Sequence, residues 1–245
     1  MGSLHIHYLL FLFLLRASLT VANDLYCHVG KLRTVENFPV TWFTEKIETC
    51  EDNQLLCQET VIMIKSGSRI AILATKGCVS EGSKAVTYIQ NSEFPGLIVV
   101  SYSNYCDISL CNDIKYLSRI WKPREEIPVS NMSTSIHCPT CVALGSCFNV
   151  SSLPCPRGIN GCYAGRIMFS GEGIDSPVEV KGCSSMTHCE LMNGFSMIGP
   201  LSVSEVCPHP SFLQRRAESR APWPCLPGRG LQLLTPLLGP LAHLL

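Results

Sequence analysis

The spacing of the cysteines constrains this chain more than any other feature. Of its 245 residues, 15 are cysteine, a density foreign to cytosolic proteins and usual for a scaffold stapled by disulfides. They fall into two runs: Cys27, Cys50, Cys57, Cys78, Cys106 and Cys111, then Cys138, Cys141, Cys147, Cys155, Cys162, Cys183, Cys189 and Cys207, with Cys225 apart. Cys50 to Cys57 is seven residues, as is Cys155 to Cys162; Cys57 to Cys78 is 21, as is Cys162 to Cys183. Lys76-Gly77-Cys78 returns as Lys181-Gly182-Cys183. Matched intervals closing on the same tripeptide mark a tandem duplication of one cysteine-rich module.

Between these cysteines the chain reads as strands. "ETVIMIKSGSRIAILATKG" carries two β-branched runs about Ser66-Gly67-Ser68, and "YAGRIMFSGEGIDSPVEVKG" carries two about Gly171-Glu172-Gly173. Both are hairpin signals. A third hairpin pairs "KAVTYIQ" with "GLIVVSYSNY" across Asn91 to Pro95. No long stretch has helical periodicity, so the expected fold class is all-β and disulfide-rich. A hairpin module of roughly 70–90 residues has little core of its own. Crosslinks spanning about 20–30 residues would each contribute about 3–4 kcal/mol in the chain-entropy model, which makes the cysteines structural. Zinc is the rival reading, since Cys138 and Cys141 stand in "HCPTC" and His188 precedes Cys189. In an oxidising compartment disulfides take precedence, so no metal and no cofactor is expected.

The ends point to that compartment. "YLLFLFLL" (Tyr8 to Leu15), followed by small residues near Ala22, reads as a signal peptide over 1–22; an uncleaved N-terminal anchor is the alternative. The last 16 residues, "GLQLLTPLLGPLAHLL", are apolar but broken by Pro236 and Pro240. That is too short and too interrupted for a membrane helix. Behind small residues and a polar spacer, such a tail signals attachment of a glycosylphosphatidylinositol (GPI) anchor. Ser219 is the expected attachment residue and Ala217 its competitor, with 220–245 removed. Cys225 leaves with that peptide, and the 15 cysteines become an even 14.

The first run ends in "SYSNYCDISLCND", a Cys-x4-Cys-Asn clasp at Cys106, Cys111 and Asn112. Together with the duplication, this clasp resembles the three-finger family that includes the lymphocyte antigen-6 proteins and the urokinase receptor. The resemblance covers Leu25 to Asn112 and Ile136 to Cys207. It implies two tandem three-finger domains, at 23–113 and 137–210, each a disulfide knot holding three β-hairpin fingers. A linker at 114–136 joins them and a stem at 211–219 follows. The family's pairing implies Cys27–Cys57, Cys50–Cys78 and Cys106–Cys111 in the first domain. In the second it implies Cys138–Cys162, Cys141–Cys147, Cys155–Cys183 and Cys189–Cys207. The resemblance further implies that Asn112 closes the first module by bonding back to its first strand, "DLYC". The chain departs from the pattern at Gly30, where the family has a cysteine of finger one, and in the disulfide that braces finger three of the first module. The second module lacks the closing clasp, because "CPHPSF" follows Cys207.

Two sequons are intact, at Asn131 ("NMS") and Asn149 ("NVS"), and both are expected to carry N-glycans. Asn104 is excluded because Cys106 occupies the third position. No nucleophile elbow, zinc-protease motif or phosphate loop is present, so no catalytic residue is expected. Lys plus Arg number 19 and Asp plus Glu number 19, with no basic stretch, which excludes nucleic acid as a partner. In "IKYLSRIW", Ile114, Leu117 and Trp121 have near-helical spacing; the stretch either packs on the preceding module or forms a partner-binding face.

Phrases such as "LCQETVIMIK", "GLIVVSYSNYC" and "HCPTCVALGSCF" resemble a germ-cell member of the family. That resemblance implies a GPI-anchored glycoprotein on the extracellular face of the male germ-cell plasma membrane, with a shed soluble form. It implies a role in sperm maturation and fertilisation through contacts with sperm-surface membrane proteins. These include adhesion proteins of the disintegrin-metalloprotease type and other three-finger proteins. The alternative is a receptor or modulator of an extracellular protease system such as urokinase/plasminogen activator. Two modules on a glycosylated linker would present their fingers at two separated places.

Overall fold

The computed structural model of the chain describes residues 24–51, 54, 56–80, 82, 87–90, 96–122, 132–185 and 189–208. The signal-peptide region 1–22, the turn Asn91 to Pro95, the sequon at Asn131, and the stem and tail with Ala217 and Ser219 lie outside the described residues. Among the described residues no helix is long and apolar enough to cross a membrane.

Among the described residues, twelve strands form two six-stranded antiparallel sheets. The first holds β1 (Tyr26–Glu36), β2 (Lys46–Thr49), β3 (Leu56–Ser66), β4 (Arg69–Val79), β5 (Thr87–Gln90) and β6 (Ile98–Cys106), in the order β2-β1-β4-β3-β6-β5. The second holds β7 (Met132–Leu144), β8 (Ser151–Pro156), β9 (Gly161–Gly171), β10 (Ile174–Ser184), β11 (Met197–Ile198) and β12 (Leu201–Val206). Read from the β8 edge its order is β8-β7-β10-β9-β12-β11, the first sheet repeated strand for strand. In both central hairpins the second and third matched cysteines lie directly opposite: Cys57 faces Cys78 and Cys162 faces Cys183. The β3–β4 turn takes Gly67 to a φ of 61°. The β9–β10 turn uses Glu172 and Gly173 at φ 47° and 68°, the double left-handed geometry whose twist suits a two-residue hairpin. β7 begins at Met132, inside the 114–136 segment read as linker.

The two sheets do not hold their fingers apart, which corrects the expectation of two separated places. Ile62 and Ile64 of β3, Leu73 of β4 and Val99 of β6 share one buried cluster with β9 residues Ile167 and Phe169 and β10 residues Val178 and Val180. Each such side chain contributes about 1.5–3 kcal/mol on full burial, and a lone module would leave this face wet. Polar contacts fix the register across the seam. The Ser66 hydroxyl donates to the Lys181 carbonyl at 2.5 Å, and the Leu97 N–H to the Cys183 carbonyl at 3.0 Å. The Arg33 guanidinium donates to the Asp175 carbonyl at 3.3 Å. Gly199 lies so close to Thr60 and Ser103 that a Cβ there would collide with them.

Candidate functional site

Each module is closed first by its knot. In the first, Cys27 is joined to Cys57, Cys50 to Cys78 and Cys106 to Cys111. In the second, Cys138 is joined to Cys162, Cys141 to Cys147, Cys155 to Cys183 and Cys189 to Cys207. Among the described residues, three groups bring potential metal-ligating atoms together: Cys27/Cys50/Cys57, Cys138/Cys155/Cys183 and Cys189/Glu205/Cys207. Every cysteine in them is disulfide-bonded, so none supplies the thiolate that zinc takes.

Asn112 is fully buried behind the Cys106–Cys111 clasp. Its Oδ1 accepts the His28 N–H at 2.9 Å, and its Nδ2 donates to the carbonyls of His28 at 2.8 Å and Gln58 at 2.9 Å. One amide thus satisfies three backbone groups on β1 and β3 at the end of its own module. The second module has no such asparagine. There the Glu205 carboxylate of β12 accepts the Tyr163 hydroxyl at 2.6 Å and the N–H groups of Leu191 and Met192 at 2.9 Å. Burial, followed by that carboxylate, pushes the Tyr163 hydroxyl far above the usual phenol range.

Beyond the clasp the chain folds back on its own sheet. The outer face of the first sheet is apolar, with Val61, Met63, Ile70 and Ile72 all buried. Val40, Trp42 and Leu117 cover it, with Ile114, Ile120 and Trp121 packed alongside. The segment "IKYLSRIW" therefore packs on the preceding module, and Leu117 to Arg119 make a 3-10 turn. Two buried charges grip the entry to this cover. The Ile114 N–H donates to Glu59 Oε2 at 3.1 Å, and Lys76 Nζ donates to the Ile114 carbonyl at 2.8 Å. Lys76 also sits 3.9 Å over the Trp42 ring, a cation–π contact. Asn104 Nδ2 donates to Glu59 Oε1 at 3.1 Å. Burial raises the Glu59 carboxyl, opposed by the Asn104 and Ile114 bonds and the Lys76 charge. Burial lowers the Lys76 amine, opposed by Glu59 and Asp113. Sequence reasoning passed over Glu59, Trp42 and Glu205; a carboxylate one residue away from the unbroken apolar run "VIMI" was the available signal for Glu59.

Among the described residues, two parts of the exposed surface stand out. The outer face of the second sheet carries Arg166, Met168, Ser170 and Asp175, all exposed. There Lys181 pairs with Glu179 at 2.6 Å. Burial alone would raise the Glu179 carboxyl, but the bond from Lys181, the Cys147 N–H and the charges of Lys181 and Arg166 lower it. The other part lies on finger one of the first module. His28, Phe43, Thr44, Lys46, Ile47 and Lys115 line an open cavity of about 470 Å³. Phe43 is 74% exposed and Ile47 53%. Asn149 is exposed in the β7–β8 loop at a φ of 52°, beside Phe148, itself 84% exposed.

This architecture matches known proteins. The u-PAR/Ly-6 domain matches residues 37–113 and 134–216. Human testis-expressed protein 101 is 51% identical over 245 residues, covering 98% of each chain. The mouse protein of that name is 47% identical over 249 residues, covering 99% of each. The crystal structure of mouse TEX101 superposes with a TM-score of 0.66 at 44% identity, covering 75% of this chain and 97% of that one. With both halves matched and the likeness running end to end, the chain belongs to the u-PAR/Ly-6 family.

Proposed function

We propose that the chain is a GPI-anchored, non-enzymatic glycoprotein of the germ-cell surface that binds other sperm membrane proteins and supports their maturation, sperm maturation and fertilisation. The observation that carries this reading is the 51% identity to human testis-expressed protein 101 along nearly the whole chain. A framework of seven disulfides supports an extracellular site of action. The exposure of Asn149 suits glycosylation there, and the reading places a second glycan on Asn131. It places the lipid on Ser219, with Ala217 as competitor. Such an anchor reaches only the outer leaflet, so the chain acts through neighbouring membrane proteins. The proposed neighbours are adhesion proteins of the disintegrin-metalloprotease type and other three-finger proteins.

Affinity capture from intact germ cells tests the reading. Sperm membrane proteins are the expected catch, whereas plasminogen-activator components would favour a protease-system receptor. Phosphatidylinositol-specific phospholipase C should release the chain from cells. A mature chain that retains Leu231 to Leu245 would remove the lipid anchor from the proposal.

A further inference from the structure

We infer that the finger-one cavity of the first module is a docking site for an acidic, apolar peptide segment of a partner protein. The inference rests on the partner-binding function proposed above and names the chemistry of that partner. Four observations carry it. Three of the six lining residues, His28, Lys46 and Lys115, are basic and none is acidic. Burial, then the charges of the buried Lys76 and of Lys115, hold the His28 imidazole below its ordinary pKa, with Asp113 opposing, so Lys46 and Lys115 carry the positive charge of the cavity. Its apolar walls are Phe43 and Ile47, which are among the more exposed large hydrophobic residues of the chain. Finally, the buried His28 Nδ1 and Thr44 Oγ1 have no hydrogen-bond partner, so the wall holds polar atoms that the fold itself does not satisfy.

The rigidity of the site follows from the clamp described above. The Trp42 N–H donates to the Lys115 carbonyl at 2.7 Å, and the Glu45 N–H to the Val29 carbonyl at 2.9 Å. Lys115 directly follows Ile114, whose two backbone groups are held by Glu59 and Lys76. A carboxylate entering beside His28 meets the cations of Lys46 and Lys115 on a preorganised backbone, and a neighbouring apolar side chain covers Phe43 and Ile47. Lys46 also pairs with Glu48 at 3.0 Å; both side chains are exposed enough for that pair to open at little cost.

The test selects a displayed library of random peptides on the full chain purified from mammalian cells. Selected peptides should be enriched in Asp or Glu adjacent to an aromatic or branched aliphatic residue. Their binding should weaken in high salt and fall about tenfold in Lys115→Glu, which removes one attraction and adds a repulsion. Phe43→Ser should weaken the same peptides without changing the salt dependence. Both positions are exposed, and an unchanged urea midpoint would show that each variant is folded. Peptides without acidic enrichment, or acidic peptides that bind Lys115→Glu undiminished, overturn the inference. If Lys115→Glu still captures sperm membrane proteins from germ cells as wild type does, this site is wrong while the partner-binding reading stands.

Discussion

The two central hairpins are copies of one another that came to live in different surroundings. β3–β4 and β9–β10 have the same length, the same cross-strand cysteines and the same place in their sheets. Their inward faces do the same job, with Ile62 and Ile64 packing against Ile167 and Phe169. Their outward faces differ. Val61 is buried where its counterpart Arg166 is exposed, and Ile70 is buried where Asp175 is exposed. Met63 is fully buried, whereas Met168, its equivalent, is 36% exposed. Lys76 is 2% exposed under Trp42, whereas Lys181, from the same tripeptide, pairs with Glu179 at the surface. A duplicated backbone therefore does not dictate which faces close. What covers a sheet decides which residues its strands can carry, and here the cover is Val40 and Trp42 before β2 together with the segment trailing the first module.

The lysine pair gives the largest expected contrast. Lys76→Ala leaves Glu59 buried without its counter-charge and frees the Ile114 carbonyl, which should destabilise the chain by about 4 kcal/mol. Lys181→Ala removes a partly exposed ion pair and should cost less than about 1 kcal/mol. Urea unfolding of the two variants measures both. Equal losses would break the comparison. The methionines sharpen it with chemistry held constant: Met63→Ala should cost about 3 kcal/mol through the cavity it leaves, and Met168→Ala no more than about 1 kcal/mol.

Much of this was legible in sequence, and the reason is covalent. Matched cysteine intervals transmit the duplication because a disulfide tolerates only a narrow Cα separation. The turns at Gly67 and Gly173 declare themselves because their backbone requires φ above zero. The faces were legible too, although only strand content was read from them. "VIMI" and "IAILA" are apolar without alternation, the mark of a strand buried on both sides, whereas "PVEVKG" alternates as a half-exposed strand does; "RIMFS" does not, because Met168 stands between Ile167 and Phe169. The partner of each face was not legible. Nothing local in "IKYLSRIW" says which sheet it covers, and nothing in "QETV" says that Glu59 bonds the N–H of Ile114, 55 residues on. Those are tertiary contacts, set by where the knot returns the chain. The finger-one cavity was hidden for the same reason, since His28, Phe43 and Lys115 come together only after that return.

The closures of the two modules allow a smaller contrast. Asn112→Ala strands three backbone groups in a fully buried place, and a loss of about 2 kcal/mol is expected. Glu205→Gln keeps one accepting oxygen for the loop N–H groups and should lose about 1 kcal/mol. Hydrogen exchange would locate each effect: the β1 and β3 amides near His28 and Gln58 should open in the first variant and those around Leu191 and Met192 in the second. Opening of both regions in either variant would mean that the shared core, rather than the local closure, sets their stability.

The smallest expected effect is a pH dependence confined to the first module. Burial holds the Glu59 carboxyl above its ordinary value of 4.5, so the folded state binds that proton more tightly than the unfolded chain. By linkage, its contribution to stability is complete below the ordinary pKa and is lost as pH rises through the raised value. Lys76 runs the other way: burial holds it below 10.5, so its contribution is complete above that value and is lost as pH falls through the lowered one. At neutral pH both groups are therefore held at a cost, and acidification relieves only that of Glu59. Glu59→Gln removes this titration and leaves Lys76. Urea midpoints measured from neutral pH toward 4.5 should shift the balance between the two proteins in favour of wild type. The second module offers no matching signal at the equivalent position, since Ala164 stands there. A difference that stays flat across this range would show that the Glu59 proton is bound no more tightly in the folded chain than in the unfolded one, and that the Asn104 and Ile114 bonds and the Lys76 charge fully offset its burial.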